Sequence, residues 1–173
     1  MAPGVWTVTA IGAFSSRVAC SDDKTKIWEV LVEVAPDIPA RVEDQKDQEN
    51  LQALISIWVD SGNCWVALDS NSRVIGFILT EPAMEIRILE KNKATYMPYI
   101  GVSKKWQGRG VFPHLLDDLK SQSEPLTVSV LHKNKSDMVA RLEKEGFAKD
   151  SRQDPKQTYL RWNPPNAAQA DKV

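Results

Sequence analysis

Between Lys104 and Phe112 the chain reads Lys-Lys-Trp-Gln-Gly-Arg-Gly-Val-Phe, three cations and two glycines in nine residues. Gly108 and Gly110 have no β-carbon, so the backbone can bend there to aim successive N–H groups at one point and can approach a ligand closely. A strand, Ala94 to Val102, comes before; Phe112, Leu115, Leu116 and Leu119 then keep one helical face apolar, with Pro113 suited to a first turn. Strand, basic glycine turn and helix start together make a phosphate cradle. The first N–H groups of the helix and the positive end of its macrodipole both face the turn. Glycines between a strand and a helix also serve as plain turn residues, so this stretch alone leaves both readings open.

The elements around it follow from periodicity. Val5 to Phe14 reads as a first strand. Ile27, Val30, Leu31 and Val34 fall on one helical face, and Leu51, Leu54, Ile55 and Trp58 repeat that spacing in a second helix. Pro36 to Asn50 between them is an acidic linker. Cys64 to Leu68 and Arg73 to Thr80 form an antiparallel pair around a polar turn, and Pro98 marks an irregular point in the next strand. Thr127 to Leu131 is a strand, Met138, Val139 and Leu142 give a helix closed by Gly146, and Thr158 to Trp162 is the last strand. The fold class is α/β of the α+β type, a mixed, mostly antiparallel sheet with helices on both faces. Residues 1–163 make one domain, and 164–173 form a tail too polar and proline-rich to pack.

Composition removes several function classes. At 173 residues, 42% hydrophobic and 26% charged, the chain can bury one core without staples. Cys20 and Cys64 are too few for a disulfide framework or zinc cluster; the expectation is a reduced, cytoplasmic setting and no metal. A formal charge of -1 argues against nucleic acid, and no apolar run is long enough to span a membrane.

Gln107-Gly-Arg-Gly-Val-Phe112 resembles the Gln/Arg-x-x-Gly-x-Gly/Ala signature of the GNAT superfamily of N-acetyltransferases, and Leu142-Glu-Lys-Glu-Gly-Phe147 resembles its second signature, a helix running into Gly-Phe. Val130 followed by Asn134 is similar to the family's strand-to-Asn step, and the element order is similar over roughly residues 5 to 163. The resemblance implies acetyl coenzyme A as cofactor, its pyrophosphate over Gln107, Gly108, Arg109, Gly110, Val111 and Phe112, with Asn134 nearby. It implies that the pantetheine arm lies as a surrogate strand along Ile100 and Val102, beside a bulge that Gly101 would accommodate. Ile100 would also supply the N–H that stabilises the oxyanion.

An alkylamine has a reference pKa near 10.4, so neutralising it at pH 7 costs about 4–5 kcal/mol, and the leaving thiolate needs a proton or a donor. Many family members place a Tyr four residues before the Gly of Gly-Phe. This chain has Leu142 there, or Arg141 when counted from Asn134. Tyr96, four residues before Ile100 and on the same face by strand alternation, and His132, just past the strand ending at Leu131, are the replacement candidates. Phe112 and Pro113 also depart from the usual pattern. The resemblance implies an acceptor amine of a small molecule or peptide, chosen by the loops that here are Pro36 to Asn50 and Ala148 to Lys156, and the expected state is a monomer or homodimer. The rival readings are a non-catalytic acyl-coenzyme-A-binding module and an interaction domain whose glycines are only turns.

Overall fold

A computed structural model describes residues 14–38, 40–81, 94–133 and 137–165. Strand β1, Phe14–Val18, begins where the expected first strand ends; residues 5–13 lie outside the described residues. Helix α1, Lys24–Val34, buries the expected stripe of Ile27, Val30, Leu31 and Val34. Helix α2, Gln45–Asp60, starts inside the stretch read as linker. The acidic residues there serve the helix start. Asp44, in extended backbone, accepts from the Asp47 N–H at 2.8 Å, and Asp47 itself sits in the first turn. Arg17 of β1 donates to the buried Asp23 carboxylate at 2.6 and 3.0 Å, tying the strand to the approach of α1.

Strands β2, Trp65–Asp69, and β3, Val74–Glu81, form the expected hairpin, its turn fixed by Asp69, whose carboxylate accepts from the N–H groups of Asn71 and Arg73. Strand β4 is Thr95–Val102, helix α3 Val111–Lys120, strand β5 Leu126–Leu131 and helix α4 Met138–Lys144. Strand β6, Ala148–Lys149, is additional; two residues carry no readable alternation. Strand β7, Gln157–Trp162, closes the series, and of the expected tail 166–173 lies outside the described residues.

The seven strands among the described residues lie in the order β1-β2-β3-β4-β5-β7-β6. Every neighbouring pair is antiparallel except β4 and β5. Two apolar layers sandwich the sheet, so the expected class holds. One joins Ile75, Ile78, Met97 and Ile100 to Leu115, Leu116 and Leu142 from α3 and α4. The other joins Val66, Phe77 and Leu79 to Ile27, Leu31 and Ile55 from α1 and α2. Burying each such side chain is worth about 1.5–3 kcal/mol, which is what holds the helices to their faces. No helix among the described residues is long and apolar enough to cross a membrane.

Candidate functional site

Strands β4 and β5 touch only at their starts. Thr95 pairs with Leu126 and Tyr96 with Thr127, and the Thr95 N–H donates to the Pro125 carbonyl at 2.8 Å. Beyond that point β4 keeps β3 and β5 keeps β7, so a wedge opens toward the C-terminal ends of both strands. The Ser103 N–H donates to the Ile75 carbonyl at 2.8 Å, which turns the backbone groups of Ser103 and Gly101 toward β3. By alternation, those of Ile100 and Val102 face the wedge.

The irregularity in β4 falls at the point Pro98 marks, and not at Gly101, where the resemblance implied a bulge. Register shifts between Leu79 and Glu81, which pair with Tyr99 and Tyr96, so the extra residue falls at Met97 and Pro98 and not at Gly101. A proline has no N–H to leave unpaired there. Gly101 answers to packing: a β-carbon on it would stand 2.7 Å from the Phe77 ring and 3.1 Å from Val34. The bulge also resets the faces. Met97 and Ile100, three residues apart, both join the α3 and α4 layer, whereas Tyr99 packs on the α1 and α2 layer. Tyr96, next to Met97, therefore lies on the opposite face from Ile100, against the strict alternation expected. Its hydroxyl meets Ser129 Oγ at 2.8 Å, linking β4 to β5 where they begin to part. Burial pushes the neighbouring Tyr99 phenol up.

At the open end of the wedge the chain turns through Gly108, φ +73°, and Gly110, φ +82°, into α3. A β-carbon at either glycine would meet nothing within 4 Å, so the ledge above them is open. No side chain caps the first turn of α3, and Pro113 has no N–H to offer, which leaves Val111 and Phe112 as its leading donors. Arg109 stacks over Trp106, 5.3 Å from the ring centroid. The Gln107 side chain donates to the Val102 carbonyl at 3.0 Å, so it anchors the loop to the wedge.

Two adjoining cavities follow this path. One of about 320 Å³ lies over the loop and is lined by Trp106, Gly108, Gly110, Pro113 and Lys144, among others. One of about 250 Å³ lies in the wedge and is lined by Val34, Asp37, Ile100, Gly101 and Met138, among others. Val102, Gln107, Phe112 and Arg141 line both, so the two make one groove. Its far wall is α4, which presents Met138, Arg141 and Lys144 at intervals of three while Leu142 points into the core with no exposed surface. Arg141 and Lys144 form no ion pair among the described residues. The helix spacing of these two cations is visible in the sequence, but nothing in the sequence marks their face as the one turned to the groove.

The groove thus brings together Ile100, Val102, Gln107, Gly108, Gly110, Val111 and Phe112, with Arg109 on the same loop. His132 stands apart. Its Nδ1 lies 3.1 Å from the Pro155 carbonyl and its Nε2 3.2 Å from Thr158 Oγ1. A carbonyl only accepts, so Nδ1 carries the proton shared with Pro155. Asn134 lies outside the described residues. Leu142, buried in the core, brings no polar group to the groove. Among the described residues no group of three or more His, Cys, Asp or Glu side chains is arranged to hold a metal ion.

No protein-family model matches the sequence, and no curated protein matches it. Solved structures do match in shape. A ribosomal-protein-S5-alanine acetyltransferase from Vibrio fischeri superposes with a TM-score of 0.70 at 12% identity, over 93% of this chain and 98% of that one. A PaiA N-acetyltransferase from Thermoplasma acidophilum, in complex with coenzyme A, gives 0.66 at 14% identity over 88% and 99%. A GNAT-family acetyltransferase from Bacillus cereus gives 0.63 at 18% identity over 88% and 99%. The fold of this chain is that of the GNAT acetyltransferases, as the two signatures implied.

Proposed function

We propose that this chain is an acetyl-coenzyme-A-dependent N-acetyltransferase acting on an amine of a small molecule or protein. One observation carries the reading: an inward-facing strand edge at Ile100 and Val102 runs without interruption into an open glycine ledge at an uncapped helix start. A long ligand with amides at one end and phosphates at the other matches that sequence of groups. The described residues fit such a ligand. Val111 and Phe112 N–H groups, Arg109 and Lys144 would hold the diphosphate, and the wedge-facing groups of Ile100 and Val102 would pair with pantetheine amides. The Gln107 bond to the Val102 carbonyl leaves the N–H of that residue as its available group.

When bound, acetyl coenzyme A supplies an activated acetyl thioester. The Ile100 N–H is placed to stabilise negative charge on the acetyl oxygen; losing one such donor costs about 2.7–4 kcal/mol in other enzymes. Tyr96, on the other sheet face, would position a water or the acceptor through its hydroxyl and Ser129. Asp37, in the wedge cavity, is an anionic group suited to an acceptor ammonium.

A second reading, an acyl-coenzyme-A-binding module without turnover, draws support from Leu142, which puts a hydrocarbon where the fold's enzymes often carry a hydroxyl. Thiol release from acetyl coenzyme A across a panel of amines, polyamines, amino acids and peptides separates the two. Turnover on any acceptor excludes the module; a melting shift with acetyl coenzyme A but no turnover on all of them excludes the enzyme. Absence of a melting shift removes both.

A further inference from the structure

The wedge cavity holds two ionisable side chains among its described lining, Asp37 on the α1 side and Arg141 on α4, and no ion pair joins them. The loop end of the groove is otherwise supplied with positive charge by Lys144, Arg109 and the uncapped start of α3, and the carboxylate that lines it, Glu145, is paired with Lys120 at 3.7 Å. Among the described residues the wedge end has Arg141 alone. Transfer of an acetyl group from a thioester leaves a sulfur that must be stabilised, and the side chain at the position of a hydroxyl donor, Leu142, is sealed in the core. A guanidinium does not give up its proton in a protein, but it does pair with an anion.

We propose that Arg141 receives the departing coenzyme sulfur as a thiolate, in place of a proton donor. This rests on the acyl-coenzyme reading above. The amine lone pair forms the C–N bond to the acetyl carbon, the C–S bond breaks, and its electron pair stays on sulfur. The ammonium proton passes to water, and Arg141 keeps all of its own.

The test compares binding of coenzyme A with that of desulfo-coenzyme A, in which hydrogen replaces the thiol, by calorimetry from about pH 6.5 to about pH 9.5, either side of an ordinary thiol pKa of about 8.5. A nearby opposite charge lowers an acid's pKa by about one unit or more, and each unit is tenfold in the thiolate's relative affinity. Coenzyme A is therefore expected to gain about tenfold over the desulfo compound across that range. Arg141→Gln, at an exposed site on α4, is expected to remove this gain while both ligands keep their low-pH affinities; Arg141→Lys is expected to keep part of it. A wild-type protein that shows no pH-dependent preference overturns the inference. So does an Arg141→Gln variant that loses both ligands equally at every pH, because the guanidinium then grips phosphate. Failure of the wild type to bind either compound overturns the acyl-coenzyme reading itself, and this inference with it.

Discussion

Replacing Gly110 by Asp tests the phosphate site most directly. The residue has φ +82°, and a β-carbon there meets nothing within 4 Å, so the variant carries a backbone penalty without a clash. Asp tolerates the left-handed region at about 1 kcal/mol, which lowers the melting temperature by about 2–4 °C in a domain of this size. The effect on binding is larger. A carboxylate about 4 Å from a phosphate charge, at an effective dielectric of about 20, costs about 4 kcal/mol, close to a thousandfold in affinity. Acetyl coenzyme A at about 100 times the wild-type dissociation constant adds about 2.7 kcal/mol, or about 5–11 °C. The same concentration adds about 0.06 kcal/mol to the variant, which differential scanning fluorimetry does not register. Gly110→Asn shares the backbone conformation without the charge and is expected to keep most of the shift. If Gly110→Asp also keeps it, the diphosphate is held somewhere else and the groove has been misread.

Three further outcomes are expected. Tyr96→Phe removes the hydroxyl that meets Ser129 and should lower kcat while leaving the affinity for coenzyme A unchanged; equal turnover would retire Tyr96 from the chemistry. His132→Ala should lower stability by about 1 kcal/mol through loss of the Pro155 and Thr158 contacts, with turnover unaffected, and a large fall in kcat would return His132 to the mechanism. For Asp23, burial pushes the carboxyl up, but the Arg17 and Cys20 hydrogen bonds outweigh it and hold it below the usual carboxylate range. That contribution to stability is complete above about pH 4 and fades as pH falls through the lowered folded value. Arg17→Ala, which strands a buried carboxylate, should therefore cost about 2–3 kcal/mol in urea melts at neutral pH and much less near pH 3; an equal deficit at both would refute the pairing.

The legible parts of the molecule are those where one period or one residue type decides the outcome. The stripes of α1 and α3, the Asp69 turn and the glycine ledge follow from spacing and from conformations open to few residues. The start of α2 was hidden because its acidic cap, Asp44 and Asp47, has the composition of a solvated linker. The face of Tyr96 was hidden for a different reason. Alternation counts residues, and although Pro98 marks the strand as irregular, it does not say that the bulge at Met97 and Pro98 adds one to the count. Arg141 and Lys144 read as an ordinary charged helix face; only the depth of Leu142 in the core shows that this face looks into a groove.

Open strand margins attract other chains, and folded proteins usually blunt them with charge, proline or shortness. Among the described residues this sheet has two outer margins and, where β4 and β5 diverge, two more within its own middle. Those inner margins are flanked by Val34 and Ile38 on one side and by Met138 and Arg141 on the other. A crevice of about 250 Å³ leaves little room for a foreign β-strand with its alternating side chains, whereas a single slender thread needs less. Limited volume at the centre of the sheet thereby acts against strand addition and as a filter on guests: it favours a molecule that is unbranched over most of its length.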